Sequence, residues 1–151
     1  MSAAEPSPQF VDSNILVYAF DHAAGRKGAQ ARSLVIDLWQ SGRGCLSIQV
    51  LQEFFVSVTA RISHPLSVQD AGHEVVNLSA WQLHRPAASD VISAIELHQR
   101  LRVSFWDAMI LQSARRMGCE VLWTEDLNDG QSYDDVIVRN PFRNEPVRDG
   151  A

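Results

Sequence analysis

Two acidic residues of this chain each follow a short apolar segment that is typical of a buried strand. Asp12 comes directly after the strand-forming residues Phe10 and Val11, and Asp126 comes three residues after Trp123. The carboxyl ends of parallel strands meet at one edge of a sheet, and ligands bind in the crevice at that edge. Asp12 and Asp126 are therefore candidates for a shared site. The stretch around Asp12 leaves a simpler role equally open, the capping of the next helix.

Two further acids, Glu53 and Asp107, lie early on predicted helices that can reach the same edge. Glu53 follows the second predicted strand, but on a helical wheel it points away from the apolar face, which is typical of a surface acid. Asp107 falls on the apolar side of its helix, where a carboxylate without a partner is costly. Residues 104–107 also fit a capping box, so a helix cap and a metal ligand are both open for Asp107.

A cleft with four carboxylates indicates a particular kind of chemistry. Such groups repel one another, and protons or cations must compensate for their charge. Oxygen ligands without histidine or cysteine favour Mg²⁺ or Mn²⁺, and the five histidines and two cysteines show no zinc-binding spacing. Two such ions about 3.5–4 Å apart can activate a water and hold the leaving oxygen in phosphodiester hydrolysis. The candidate reaction is therefore metal-dependent cleavage of a phosphodiester bond.

The composition is that of one ordinary globular domain. The chain has 151 residues, of which 46% are hydrophobic and 21% are charged. A net charge of −5 argues against binding polyanions through a basic surface alone. It is compatible with an enzyme that neutralises a pocket of acids with cations. Cys45 and Cys119 lie beside predicted strands and are expected to be buried small residues of a cytoplasmic protein.

The two ends of the chain differ from its middle. Residues 1–8 lack the positive charge and apolar core of a signal peptide and are predicted to form a disordered tail. Residues 143–151 are polar and are predicted to form a flexible tail. No apolar run reaches the roughly 20 residues of a membrane helix. The folded domain is therefore predicted to span residues 9–142, without membrane association.

Strands and helices alternate along this domain. Such alternation predicts an α/β fold in which a parallel β-sheet is flanked by helices on both faces. Strands are predicted at 10–11, 44–47, 80–86, 120–123 and 136–138, and helices at 26–40, 48–61, 68–79, 90–101 and 102–118. The first of these helices has residues at helical spacing at Ala29, Ser33, Ile36 and Trp39. The last has a predicted core stripe of Trp106, Ile110, Ala114 and Met117.

Five segments of the chain form a pattern that is specific as a set, although each one alone is weak. The segments are Val11–Tyr18, Gln49–Phe54, Ser104–Ala108, Leu122–Leu127 and Asn140–Phe142. In this order and at these spacings, the chain resembles the PIN-domain ribonucleases, in particular the VapC-type toxins of bacterial toxin–antitoxin pairs. The resemblance runs from about residue 9 to residue 142.

The resemblance implies a PIN-like fold and a function. The sheet is expected to have the strand order 3-2-1-4-5, in which the first and fourth strands are neighbours where the winding reverses. The function implied is that of a Mg²⁺- or Mn²⁺-dependent endoribonuclease, the toxin of a toxin–antitoxin system. The implied catalytic and metal-binding quartet is Asp12, Glu53, Asp107 and Asp126.

The resemblance also implies separate roles within the quartet. Asp12 and Asp107 are expected to be direct metal ligands. Glu53 is expected to bind metal through water or to take a proton from the attacking water. Asp126 would complete a second metal position.

Two residues near the quartet are expected to support it, and two further acids lie close to it in the chain. Asn14 and Thr124 are expected to orient the carboxylates of the quartet, as outer hydrogen-bonding groups do in metal sites. Asp129 is a further candidate acid, whereas Glu125 is interpreted as an exposed loop charge. The basic side of the first predicted helix, which includes the sole lysine, Lys27, is interpreted as solvated surface.

Three partners are implied by the same resemblance: an RNA substrate, a cognate antitoxin and a second copy of the chain in a homodimer. The antitoxin is expected to lay an apolar segment along the early helices. Residues that could line such a groove are Leu34, Leu38, Phe54 and Phe55, although core packing is the commoner use of such residues.

Two other functions compete with the nuclease hypothesis. One is a catalytically inactive RNA-binding or scaffold domain, against which the intact quartet argues. The other is an Asp-based phosphotransfer domain. The haloacid-dehalogenase type of that class places a second acid two residues after the first, where this chain has Asn14, and the class uses a lysine near the later strands, whereas Lys27 is early. A serine or cysteine nucleophile has little support, because no Gly-x-Ser-x-Gly motif is present.

Overall fold

A mostly parallel sheet organises the part of the chain that the computed structural model describes, residues 7–143. The strands are β1 Gln9–Val11, β2 Gly44–Ser47, β3 Gln82–His84, β4 Val121–Trp123, β5 Ser132–Tyr133 and β6 Val136–Arg139. The helices are α1 Ser13–Phe20, α2 Gly25–Ser41, α3 Ile48–Ala60, α4 Val68–Leu78, α5 Ala88–Leu101 and α6 Phe105–Arg116, with a 3-10 helix at Pro141–Arg143. The predicted tails, residues 1–8 and 143–151, lie outside the described residues except for Ser7, Pro8 and Arg143.

The strands lie in the order β3-β2-β1-β4-β6-β5, and all neighbours are parallel except the β5–β6 pair. The predicted order 3-2-1-4-5 is confirmed for the five predicted strands, the last of which is β6. The two-residue strand β5 escapes prediction, because two residues are too few to show an alternating pattern. The α/β fold with helices flanking a mostly parallel sheet is confirmed as well.

Strands β1 and β4 are neighbours, and their register decides where the candidate acids meet. Val11 pairs with Trp123, so the next residues, Asp12 and Thr124, leave the sheet side by side. The backbone N–H of Asp12 donates to the Trp123 carbonyl at 3.0 Å and extends the pairing by one step. Successive strands are added on one side of β1 up to β3 and on its other side from β4 onward. The β1–β4 pair is therefore the topological switch point, where open α/β sheets bind ligands.

Packing around β1 fixes the helices that begin at this edge. Phe10 and Val11 are fully buried, and so are Ile15 and Leu16 of α1, as expected for a central strand covered by helices. Helix α1 packs on α2 and α3, while α6 packs on α5 and on strands β2, β4 and β6. The first turns of α1 and α6 are therefore held at defined positions relative to the end of β1.

Helix α2 turns a different face to the protein from the stripe noted in the sequence. Ile36 and Trp39 are exposed, as are Ala29 and Ser33, whereas Ala31 and Leu38 are buried. The helix carries apolar residues on two sides, and helical spacing alone does not decide which side meets the sheet. The exposed side becomes an apolar surface of the protein.

The predicted core stripe of α6 is wrong at its first member. Trp106 is 63% exposed, while Ile110 and Ala114 are buried and Met117 is half-buried. The helix begins at Phe105 rather than at residue 102, so Trp106 lies in the first turn, at the edge of the sheet instead of over it. Its exposure places a large aromatic surface directly before Asp107 in the chain.

A buried polar network joins β3 to α5 and α6. His84 shares a 2.8 Å hydrogen bond between its Nδ1 and the Ser113 hydroxyl, and its Nε2 lies 3.4 Å from Oδ2 of Asp90. Asp90 also accepts from the Ala87 backbone N–H at 2.8 Å and from Gln112 Nε2 at 3.0 Å. The pKa of Asp90 is lowered, mainly by the Ala87 bond. His84, Asp90 and Ser113 are 8%, 2% and 1% exposed, so this Ser-His-Asp arrangement fastens the helices to the sheet.

The burial of the cysteines and the length of the helices were also predicted from the sequence. Both cysteines, Cys45 and Cys119, are buried, as expected. Within residues 7–143, every helix is too short or too polar to cross a membrane.

Candidate active site

Three carboxylates converge beyond the ends of β1 and β4. Asp12, Asp107 and Asp126 each present one oxygen, and these oxygens all lie within 4.8 Å of one another. The three differ in depth: Asp12 is 4% exposed, Asp107 is half-buried and Asp126 is exposed. The cluster therefore extends from the buried end of β1 to the solvent-exposed surface.

Asp12, the most buried of the three, accepts hydrogen bonds at both of its carboxylate oxygens. Oδ1 accepts from the backbone N–H of Ser13 at 2.7 Å, which makes Asp12 the N-cap of α1. Oδ2 accepts from the Thr124 hydroxyl at 2.9 Å. The two interpretations of Asp12 that the sequence leaves open therefore describe the same residue, because it caps the helix and also belongs to the acidic cluster.

Asn14 lies between Asp12 and Asp126. Its Nδ2 is 3.3 Å from Asp12 Oδ2, 3.0 Å from Asp126 Oδ2 and 3.2 Å from the Thr124 hydroxyl oxygen. The Thr124 hydroxyl in turn accepts from the backbone N–H of Asp126 at 3.1 Å. Asn14 and Thr124 thus contact both acids.

Asp107 is delivered by the first turn of α6. The Ser104 hydroxyl caps the helix by accepting from the Asp107 backbone N–H at 3.0 Å, while the carboxylate contributes its oxygen to the cluster. The Trp106 carbonyl accepts from Gln49 Nε2 at 3.3 Å, which ties the start of α6 to the start of α3. The cap therefore uses the backbone N–H of Asp107, which leaves its carboxylate oxygen in the cluster.

Glu53 lies beside the cluster but outside the set of three oxygens. It is half-buried, and its Oε1 accepts from the Ser13 hydroxyl at 3.3 Å and from Gln49 Nε2 at 3.5 Å. The helical-wheel expectation of a surface acid is therefore wrong, because α3 packs against α1 and turns Glu53 toward the start of that helix. The contacts of Ser13 and Gln49 with Glu53 were not predicted from the sequence, although Gln49 lies one turn before Glu53 on the same helix face.

The electrostatics of the cluster follow from its burial. The pKa of Asp12 is raised to about 7, mainly by burial and further by the charges of Asp126 and Glu53, against the hydrogen bonds from Thr124 and Ser13. The pKa values of Glu53 and Asp107 are also raised, again mainly by burial. Each acid raises the cost of ionising its neighbours, so the cluster favours a bound proton or a bound cation.

The cluster fits a hard divalent cation. All of its donors are carboxylate oxygens, the ligand type that Mg²⁺ and Mn²⁺ prefer. Oxygens that share one Mg²⁺ lie up to about 4 Å apart, close to the 4.8 Å limit of the three acids. A bound cation would favour the charged carboxylates and offset the cost of burial that raises the pKa of Asp12.

Two neighbouring acids have roles outside the cluster. Glu125 is not an exposed loop charge: its Oε1 accepts from the Tyr18 hydroxyl at 2.6 Å, and its Oε2 pairs with Lys27 at 3.0 Å. The pKa values of Tyr18 and Lys27 are both raised, mainly by hydrogen bonding to Glu125. Asp129 accepts from the Asn140 backbone N–H at 2.8 Å and closes the loop onto the end of β6.

Solved structures with a similar fold come from toxin–antitoxin systems. A toxin–antitoxin complex from Klebsiella pneumoniae aligns over 88% of this chain and 97% of its own, with a TM-score of 0.66 and 20% identity. The toxin VapC20 from Mycobacterium tuberculosis aligns over 78% and 90%, with a TM-score of 0.59 and 21% identity. DNA-bound VapBC from Salmonella typhimurium aligns over 90% and 99%, with a TM-score of 0.64 and 16% identity. These likenesses concern the fold.

Sequence comparison identifies the family. No curated protein matches the chain by sequence. The family model of the PIN domain matches residues 10–129, which include all four members of the predicted quartet. That match covers most of the chain, and the resemblance noted in the sequence is confirmed. The chain belongs to the PIN domain family.

Proposed function

We propose that this protein is a metal-dependent endoribonuclease that hydrolyses RNA phosphodiester bonds and acts as the toxin of a bacterial toxin–antitoxin pair. The observation that carries the proposal is the convergence of Asp12, Asp107 and Asp126 beyond β1 and β4 of a PIN domain. VapC20 of M. tuberculosis, which has a similar fold, is itself described as a sarcin-ricin loop cleaving toxin. That description supports RNA as the substrate class.

Asp12, Asp107 and Asp126 are the residues that would hold Mg²⁺ or Mn²⁺. A bound divalent cation supplies Lewis-acid polarisation of the phosphate and lowers the pKa of an attacking water. Asp12 is prepared for this role, since Ser13 and Thr124 fix both of its oxygens before any ion arrives. Preorganised ligands reduce the reorganisation that ion binding requires.

Glu53 is the proposed acceptor of a proton from the attacking water. Burial raises its pKa first, and the charges of Asp107 and Asp126 raise it further. A carboxylate with a raised pKa is a better general base near neutral pH. The Ser13 hydroxyl, 3.3 Å from Oε1, orients the Glu53 carboxylate beside the cluster.

Trp106 offers a binding surface for the substrate. Its indole is 63% exposed, packs edge-on against Phe105 at 5.1 Å between ring centroids, and precedes Asp107 in the chain. Unpaired bases stack on such rings in proteins that bind single strands. This chain carries a net charge of −5, so stacking and a local cation suit it better than a wide basic surface. Single-stranded or looped RNA is the corresponding substrate form.

The proposed antitoxin needs an apolar surface, and the residues expected to line it do not provide one. Leu38 and Phe54 are buried in the core, while Leu34 and Phe55 are half-buried and pack against it. An exposed apolar groove of about 400 Å³ lies instead between α2 and α4 and includes Ile36 and Trp39. This groove is the better proposed seat for an antitoxin segment.

Two further parts of the proposal concern assembly and location. Similar folds were solved as a toxin–antitoxin complex and as DNA-bound VapBC, which supports an antitoxin partner for this chain. A homodimer is implied by the resemblance, and a cytoplasmic location is expected from the two buried cysteines; both stay proposals. The mass of the purified protein in solution tests the homodimer.

Cleavage of structured RNA with Mn²⁺ tests the proposal. The wild-type protein should cleave, chelation should stop cleavage, and Asp107→Asn should reduce it to background. Asp134→Asn is a matched control, because Asp134 forms a partly exposed ion pair with Arg100 on the turn between β5 and β6. Equal cleavage by wild type and Asp107→Asn would remove Asp107 from the site.

The same assay separates the competing functions. RNA binding without cleavage under any divalent cation would favour the inactive RNA-binding or scaffold domain. An acyl phosphate formed with a small phosphodonor would favour the phosphotransfer domain. The contacts of the sole lysine weaken that second alternative, because Lys27 is paired with Glu125.

A further inference from the structure

Asp126 is the most exposed acid of the cluster, and the residue before it is unusually well anchored for a loop residue. We propose that Glu125 is a positioning residue: with Tyr18 and Lys27 it forms a clamp that holds Asp126 in place for cation binding. This inference rests on the proposed function, because it assigns Glu125 a task in the same site. Glu125 itself contributes no oxygen to the set of three.

The side chain of Glu125 is bound at both oxygens. Oε1 accepts from the Tyr18 hydroxyl of α1 at 2.6 Å, and Oε2 accepts from Lys27 Nζ of α2 at 3.0 Å. Lys27 Nζ is also 3.5 Å from the Tyr18 hydroxyl oxygen, so the three groups close a triangle. Side chains from two helices, α1 and α2, thus bind Glu125, the loop residue between Thr124 and Asp126.

Aromatic rings flank this triangle. Lys27 Nζ lies 5.0 Å from the ring centroids of both Tyr18 and Phe142, within the range of cation–π attraction. Tyr18 and Phe142 meet edge-to-face at 5.0 Å. The 3-10 helix at Pro141–Arg143 therefore supports the clamp from the far side. The side chain of Glu125 is 23% exposed and that of Lys27 is 47% exposed.

The backbone of Glu125 links the clamp to the cluster through Asn14. Its N–H donates to Asn14 Oδ1 at 3.4 Å, and Asn14 Nδ2 donates to Asp126 Oδ2 at 3.0 Å. On the other side, the preceding N–H, that of Thr124, donates to the Arg139 carbonyl at 3.0 Å. The loop is therefore fixed before and at Glu125, which leaves Asp126 little freedom to swing away from Asp12.

An ordinary surface ion pair would contribute little to stability and nothing to metal binding. The Arg100–Asp134 pair provides the comparison, since its two contacts of 3.2 and 2.9 Å are as well formed as those of the clamp. Asp134 also pairs with Arg115 at 3.3 Å, so it joins the turn before β6 to α5 and to the last turn of α6. Removing it should therefore reproduce any general effect of losing an ion pair.

Direct Mn²⁺ binding without RNA tests the clamp, measured by titration calorimetry on the full-length protein. Glu125→Gln is expected to weaken Mn²⁺ binding about 10-fold, the lower end of the range for losing an outer partner of a metal ligand. Lys27→Met is expected to act in the same direction, and Tyr18→Phe to have a smaller effect. Asp134→Asn should bind as the wild type does. The thermal midpoint of the metal-free Glu125→Gln protein should stay close to that of Asp134→Asn.

The possible failures are distinguishable. If the wild type binds Mn²⁺ and Glu125→Gln binds it equally well, the clamp is overturned and the nuclease proposal stands. If the wild type binds no Mn²⁺, the proposed function fails and the clamp fails with it. If Glu125→Gln unfolds, Tyr18→Phe decides, because it deletes a single hydroxyl: unchanged affinity in that variant would also overturn the clamp.

Discussion

Thr124 donates a 2.9 Å hydrogen bond to Asp12, and both residues are buried where β1 and β4 end. The bond is a direct consequence of the strand register, because Val11 pairs with Trp123 and the next residues leave the sheet together. A buried carboxylate needs such donors in order to ionise. The Thr124 bond lowers the pKa of Asp12 against the larger effect of burial, and so keeps the acid available to a cation.

Thr124→Val should therefore damage the site more than its small change in shape suggests. The variant removes the shorter of the two hydrogen bonds to Asp12 Oδ2 and leaves the 3.3 Å bond from Asn14, which is expected to cost about 1–3 kcal/mol in the free energy of unfolding at pH 8. It should also move the pH at which Mn²⁺ binds upward. Urea denaturation and Mn²⁺ titration measure the two effects. Thr59→Val, at a half-buried position on α3, is the control and should leave Mn²⁺ binding unchanged.

Asp12→Asn should stabilise the metal-free protein at alkaline pH. The pKa of Asp12 is raised from 3.8 to about 7, so the folded state holds a proton that the unfolded chain releases. The free energy of unfolding of the wild type must then fall as the pH rises between these values. At pH 8 in chelator, Asp12→Asn should be more stable by on the order of 1–3 kcal/mol, and the difference should shrink toward pH 4.

Addition of Mn²⁺ should reverse that order. A cation that binds only the folded state stabilises it, and Asp12→Asn lacks the buried ligand. Urea denaturation at several pH values, with and without Mn²⁺, measures both effects. A difference between the two proteins that does not change with pH would contradict the raised pKa of Asp12.

Mn²⁺ affinity should itself depend on pH. Since a carboxylate must be deprotonated to bind a cation, protonated Asp12 competes with the ion. Below pH 7 the affinity is expected to fall by about tenfold per pH unit if one proton is released. Calorimetry in buffers of different ionisation enthalpy counts that proton directly. Affinity that stays constant between pH 5.5 and 7 would show that Asp12 is already ionised there.

The sequence was sufficient to place two of the four acids at the edge of the sheet but not to orient all four. Asp12 and Asp126 are predictable, because chain position relative to a strand end determines which edge a residue occupies. Glu53 is not predictable from its own helix, because its orientation depends on how α3 packs against α1. Only the family resemblance placed Glu53 in the site.

Long-range contacts account for the other differences. Glu125 looks like a loop charge until Tyr18 and Lys27, 107 and 98 residues away in the chain, are brought against it. The exposure of Ile36 and Trp39 has a similar origin, since α2 has two apolar sides and the sheet covers one. Such choices are made by tertiary packing, and no local pattern records them.

The buried Asp90 network should affect stability without affecting the site. Asp90→Asn is expected to cost about 1–3 kcal/mol at pH 7, because it weakens the bonds to Ala87 and Gln112 in a buried environment. The pKa of Asp90 is lowered, so its contribution is present above the ordinary value of 3.8 and is lost as the pH falls through the lowered one. Denaturation from pH 7 to pH 2 should therefore show the deficit narrowing.

Asp70→Asn provides the control for Asp90→Asn, because Asp70 lies on the exposed first turn of α4. It should change the free energy of unfolding by less than about 0.5 kcal/mol. Both variants should bind Mn²⁺ as the wild type does. Weakened Mn²⁺ binding by Asp90→Asn would mean that the network extends to the cluster.

Trp106→Ala should weaken RNA binding while leaving the fold and the cation site intact. Stacking on an aromatic ring is worth about 1–3 kcal/mol per base, so the KM for a looped RNA should rise about tenfold or more, with a smaller change in kcat. Trp106→Phe should keep most of the affinity, because a smaller ring still stacks. Steady-state cleavage at several RNA concentrations separates KM from kcat.

Trp39→Ala is the matched control for Trp106→Ala. Trp39 is 50% exposed, comparable to Trp106, but it lies on α2 in the groove proposed for the antitoxin. Its loss should leave the KM for RNA unchanged and should instead weaken inhibition by an antitoxin peptide. If both variants raise the KM equally, the effect belongs to exposed tryptophans in general, and Trp106 is no specific platform for a base. If the effects divide as expected, substrate and antitoxin are read by two separate aromatic surfaces of one PIN domain.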